Sequence, residues 1–104
     1  MQKRDQAPPP QDGSPRAVAS LRLTEQARVF LESGKVDDAI TTLERAMNLN
    51  PSNGQNYYYL AEAWLKKGNP SQAREFNHLA AMYLRDEPDW IYRVKDQQER
   101  IRTR

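Results

Sequence analysis

A single histidine, His78, stands one helical turn from Glu75, and no cysteine occurs in the 104 residues. A Glu/His pair at that spacing would bind a metal or share a proton if a third ligand joined it. Without one, the pair is a surface contact of the i,i+3 kind. Two further acidic pairs, Asp37-Asp38 and Asp86-Glu87, would suit general acid and base work if they faced each other across a cleft. Each instead stands where a helix begins, where a carboxylate complements the helix dipole. The four glycines fall at breaks between elements, and none belongs to a phosphate-cradling loop. The residues that could do chemistry therefore assemble no triad, no metal set and no nucleotide loop. No enzyme, no cofactor and no metal site is expected.

Charge excludes a second group of functions. Sixteen basic against fourteen acidic side chains leave a net charge of +2, too balanced for nucleic acid as the main partner. The chain end does hold Arg93, Lys95, Arg100, Arg102 and Arg104 against Asp96 and Glu99. No aromatic side chains are interleaved there, and cations at a helix C-terminus complement its dipole. No stretch approaches the ~20 apolar residues that span a bilayer. Without cysteine the fold owes nothing to disulfides, and the redox compartment stays open.

The elements that must position any binding residue can be read from periodicity. Residues 1–13, with Pro8-Pro9-Pro10 among charged and amide side chains, are too poor in apolar groups to offset their ordering entropy, so a disordered tether is expected. It lacks the apolar core of a secretory signal. If Met1 is the native start the protein is cytoplasmic. If the tether once joined a signal or lipid anchor, a bacterial envelope or periplasmic lipoprotein follows. From Ser14-Pro15, a cap and a first-turn proline, Val18, Leu21, Leu23, Ala27, Phe30 and Leu31 recur at helical steps to about Ser33. A second helix is expected from about Val36 to Leu49, with Ala39, Ile40, Leu43, Ala46 and Met47 inward. A third runs from about Gly54 to Lys67 with Tyr57, Leu60, Ala61 and Trp64 inward. A fourth starts at Asn69-Pro70 and carries Ala73, Phe76, Ala80 and Tyr83. A fifth, about 88–102, has Trp90, Ile91, Val94 and Ile101 on one side.

These helices repeat. At an offset of 34 residues Ala27 falls on Ala61, Leu31 on Leu65, Gly34 on Gly68, Ala39 on Ala73 and Ala46 on Ala80, with Phe30 on Trp64. That period belongs to stacked helical hairpins, with alanine where helices close on each other and glycine where one turns back into the next. The pattern resembles the tetratricopeptide repeat family, and Pro51 sits where that family ends its second helix. The resemblance implies an all-α fold, a short α-α superhelix. Repeat one spans about 20–53, repeat two about 54–87, and the fifth helix caps the open end. Two departures stand out. Asn77 takes the place Leu43 holds in the first repeat, and Arg85 stands where Pro51 predicts proline. The fourth helix is therefore expected to run longer than the second, with Phe76 covering part of the space Asn77 leaves.

The resemblance also implies a function: a non-catalytic scaffold that takes a peptide or helix of a partner protein, or assembles a larger complex. The family's groove positions fall on Thr24, Glu25, Arg28 and Leu31 in the first repeat and on Tyr58, Tyr59, Glu62 and Leu65 in the second. Three consecutive tyrosines from Tyr57 point in three directions on a helix, so at least one ring should leave the core. The family's lysine, asparagine and arginine clamp for a terminal carboxylate is absent, because Thr24, Tyr58, Arg28 and Glu62 stand in its places. A different class of answer is self-association, a homodimer formed through the first helix or through a face built on Trp90 and Tyr92.

Overall fold

The computed structural model describes residues 13–103, in five helices and, among those residues, no strand. They are α1 (Pro15–Glu32), α2 (Val36–Leu49), α3 (Gly54–Lys66), α4 (Pro70–Tyr83) and α5 (Pro88–Arg102). The tether expected over 1–13 lies, apart from Gly13, outside the described residues.

Three of the starts and two of the stops have a plain local cause. Ser14 accepts the Ala17 N–H at 3.1 Å ahead of Pro15, Asn53 accepts the Asn56 N–H at 3.3 Å, and Asn69 accepts the Gln72 N–H at 3.0 Å ahead of Pro70. These side chains satisfy amides that a first helical turn leaves unpaired. Gly34 and Gly68 follow α1 and α3 at φ +78° and +84°, a conformation costly to any residue with a Cβ. The turn lets Lys35 N–H reach Phe30 O at 2.8 Å and Asn69 N–H reach Trp64 O at 2.9 Å, so both helices end by closing their last carbonyls.

The pairs α1/α2 and α3/α4 are hairpins, α2 stacks on α3, and α5 packs on α4 and α3. Alanine makes the close approaches: Ala27, Ala39, Ala46, Ala61, Ala73 and Ala80 are wholly excluded from solvent. Leu43, Leu60 and Tyr57 fill the space between them. Tyr57 stacks on Phe76 and Tyr83 at centroid distances of 6.3 and 5.6 Å, and its hydroxyl donates to Pro51 O at 2.6 Å.

Two expectations change. The inward side of α1 is Ala17, Ser20, Thr24, Ala27 and Leu31, whereas Val18 and Leu21 stand 38 % and 46 % exposed. The reason is a buried polar junction that the apolar pattern does not register. Ser20 Oγ donates to Ala46 O at 2.8 Å, the Asn53 amide donates to Ser20 Oγ and Thr24 Oγ1 at 2.9 and 3.0 Å, and the Asn56 amide donates to Leu43 O at 2.8 Å. The Thr24 hydroxyl completes it, 2.9 Å from Asn56 Oδ1. Second, α4 and α2 both span 14 residues. Leu84 ends α4 by turning inward against Gly54, whose missing Cβ would lie 2.6 Å from Leu84 Cγ. The three tyrosines divide as expected: Tyr57 is buried, whereas Tyr58 and Tyr59 leave the core half-buried.

Candidate partner-binding groove

Because α1 and α5 both touch α3, the three helices form one face, and a cleft of about 430 Å³ opens along it. From α1 it takes Arg28, Leu31 and Glu32. From α3 it takes Tyr58, Tyr59, Glu62 and Lys66, and from α5 Arg93.

An aromatic cluster makes its floor. Tyr58 and Tyr59 meet edge to face at 5.2 Å, and each meets Trp90 of α5 in the same way, at 5.6 and 6.0 Å. Such contacts contribute about 0.5–1.5 kcal/mol each beyond the area they bury. The Arg93 guanidinium lies 4.5 Å from the Trp90 ring centroid, a cation–π contact. Burial pushes both phenols above their ordinary value, with Glu62 adding to the effect on Tyr58 and Arg93 opposing it on Tyr59. The floor is therefore neutral at physiological pH.

The charged walls are largely paired among themselves. Arg28 bonds both Glu25 and Glu32 along α1. That pairing holds Glu25 below the usual carboxylate range and Arg28 above the usual guanidinium value. Glu62 accepts from Arg100 Nη2 at 2.7 Å and from Gln97 Nε2 at 2.9 Å. Arg100 is raised chiefly by that bond, and its Nε also reaches Asp96 at 3.1 Å.

Gln97 is the bolt that fixes α5 as the third wall. Its Nε2 also donates to Tyr58 O at 2.9 Å, and its Oε1 accepts from Asn77 Nδ2 at 2.9 Å, which in turn reaches Val94 O at 3.0 Å. Asn77, read as a gap for Phe76 to cover, is thus itself buried with its amide donating twice, while Phe76 packs on Tyr57.

The cleft brings together Arg28, Leu31, Tyr58, Tyr59 and Glu62, with Glu25 at its lip through Arg28. Two expected groove residues lie elsewhere. Thr24 is 3 % exposed inside the α1/α2/α3 polar junction, and Leu65 is buried with Ala73 and Ile101 under α5. Trp90 is spent on Tyr58 and Tyr59 within the chain, whereas Tyr92 stands 77 % exposed. Glu32, Lys66 and Arg93 were not anticipated, although the repeat carries the signal. Lys66 follows Glu32 by the same 34 residues that separate Arg93 from Tyr59 and Tyr59 from Glu25. Gln97 left a fainter trace, falling between Val94 and Ile101 on the inward side of α5.

His78 is exposed and, with Arg74 and Arg102, edges a notch of about 90 Å³ between α4 and α5. Among the described residues no three His, Cys, Asp or Glu side chains stand close enough to hold a metal ion. No helix of those residues is long and apolar enough to cross a membrane.

A family model described as tetratricopeptide repeat matches residues 30–92. No curated protein matches the sequence significantly. Among solved structures, the first TPR of Spaghetti (RPAP3), bound to the HSP90 peptide SRMEEVD, superposes with a TM-score of 0.75 at 21 % identity, covering 84 % of this chain and 68 % of that one. The type III secretion translocator chaperone SycD of Yersinia enterocolitica gives 0.73 at 21 % identity, and the match takes in 81 % of this chain but only 60 % of SycD. The globular C-terminal domain of P. aeruginosa LpoP gives 0.64 at 25 % identity, over 86 % of this chain and 87 % of that domain.

Proposed function

This chain belongs to the tetratricopeptide repeat family, and on that premise we propose that it is a non-catalytic protein-interaction scaffold whose α1/α3/α5 groove takes a peptide or helix of a partner protein, as an assembly factor of a larger complex. The observation that carries the reading is the cleft of about 430 Å³ floored by Leu31, Tyr58 and Tyr59. It offers an apolar, neutral seat held rigid from behind by Trp90, and rigid aromatic floors anchor partners at low entropic cost. The RPAP3 repeat bound to an HSP90 peptide supports the kind of ligand, not its sequence.

A photo-crosslinking residue at position 32, on the cleft wall, and another at position 44, exposed on α2, test it in extracts of the source organism. A partner crosslinked from 32 and not from 44 is the expected result. Equal yield at both, or yield from 44 alone, overturns the groove. Self-association has its own support in Val18, Leu21 and Val29, which α1 leaves exposed. Light scattering over a wide concentration range tests it: a rise in mass that Leu21→Lys removes would favour a homodimer over a foreign ligand.

A further inference from the structure

Accepting the groove as the binding site, the pairing of its charges states what the partner must bring. Five charged side chains line the cleft, yet three are already matched: Arg28 with Glu32 on the wall and Glu25 at the lip, and Glu62 with Arg100 and Gln97 from α5. No carboxylate among the described residues lies within ion-pair distance of Lys66 or Arg93. Lys66 ends α3 on the surface, whereas Arg93 rests over the Trp90 ring and bonds the Tyr59 side chain, neutral contacts that fix the guanidinium without cancelling its charge. The cleft thus holds two cations without a carboxylate partner, and Leu31, Tyr58 and Tyr59 line it with them.

We infer that the partner segment carries an aspartate or glutamate side chain held by Lys66 and Arg93, with a neighbouring apolar residue seated on Leu31, Tyr58 and Tyr59. A side-chain carboxylate fits better than a chain terminus. No asparagine or glutamine lines the cleft to supply a terminus with a neutral amide donor, whereas an extended segment crossing the tyrosines can lower one acidic side chain onto the cations. Charge-assisted bonds of this kind are the strong ones, and at a surface site they weaken as salt rises.

The test selects short random peptides displayed on phage against the whole chain, then remakes each binder with acetylated and amidated ends so that no terminal charge remains. Binders should share an acidic position. Changing that position to its amide should weaken binding about tenfold, and Lys66→Gln should do the same, the size expected for losing one bond to a charged group. Lys66 is exposed, so unchanged helicity and melting in that variant separate recognition from folding; Arg93→Gln removes the second cation and should weaken the same binders. Binders that crosslink to position 32 but keep their affinity within twofold after both changes overturn the acidic partner and leave the groove standing. Binders that crosslink elsewhere only, or a selection without binders, overturn both.

Discussion

Gln97→Glu is the change that asks most directly what holds the third wall of the groove. The two side chains have one shape, so packing around this fully buried residue is kept, and the oxygen that accepts from Asn77 is kept. What changes is the other arm. A donor 2.9 Å from both Glu62 Oε2 and Tyr58 O becomes an acceptor facing two acceptors. Losing the bond to a charged group costs about 2 kcal/mol and losing the neutral one about 1 kcal/mol, for a total of about 3 kcal/mol. For a domain of this size that lowers the melting temperature by about 12–24 °C. The loss carries a pH signature. Two carboxyls at this distance cannot both ionise, so one is held protonated with its folded-state pKa above the unfolded value of about 4.3. A group raised on folding is least harmful below its unfolded pKa and costs stability as pH rises through the folded one. Urea unfolding followed by helical circular dichroism, each variant compared with the native protein at the same pH, should therefore show a small deficit near pH ~4 and the full deficit near pH ~8. Adding Glu62→Gln should recover most of it by restoring a donor, and Gln98→Glu, at an exposed neighbour, should stay within about 0.5 kcal/mol. A deficit below about 0.5 kcal/mol at the higher pH, or one equal at both, would mean that α5 is held by its apolar contacts alone and that the bolt is incidental.

Other perturbations probe the remaining junctions. Gly54→Ala drives a Cβ to 2.6 Å from Leu84 Cγ and 3.1 Å from Tyr83 Cβ, so a loss of about 1–3 kcal/mol is expected. Leu84→Ala in the same chain should absorb part of it, and strictly additive costs in the double-mutant cycle would show that the clash is not there. Ala39→Leu, at a site with no exposed surface, should cost a similar 1–3 kcal/mol or so in denaturant unfolding, and a neutral result would mean the α1/α2 contact can open. Thr24→Val should lose about 1–3 kcal/mol by stranding buried Asn amides while leaving partner binding intact; weaker binding at full stability would return Thr24 to the groove. Burial raises the phenols of Tyr57, Tyr58 and Tyr59 above 10.0, so their stability contribution is whole below that pH and is lost as pH climbs through the raised values. Tyrosinate absorbance should accordingly appear together with helix loss, and ionisation at the ordinary value in an intact fold would contradict the packing.

The limits of the helices were legible in the chain because their causes are local. A capping side chain, a first-turn proline or a glycine that accepts positive φ acts within a few residues, and Ser14-Pro15, Asn69-Pro70, Gly34 and Gly68 all stand at the boundaries expected for them. The repeat was legible for the same kind of reason, since alanine at one period marks where helices approach whatever their partners are. The groove was legible in part. Arg28, Tyr58, Tyr59 and Glu62 follow from repeat position, as Lys66 does once Glu32 is counted with the groove, whereas Arg93 needed the period extended into the fifth helix.

The inward face of α1 escaped because apolar periodicity weighs Val18 and Leu21 as core and is blind to Ser20 and Thr24, whose burial is favourable only where Asn53 and Asn56 arrive from another helix. The same holds at the other junction. Asn77 looked like a defect in the repeat until Gln97 met it. By itself the sequence determined the element limits, the hairpin repeat and the class of molecule, because short-range sterics and hydrophobic period are written in neighbouring residues. Only the tertiary structure decided which polar side chains go inside, which charges cancel and which two cations are left over. A buried amide or an exposed lysine is given its value by partners some 20–39 residues away, and no local rule can see them.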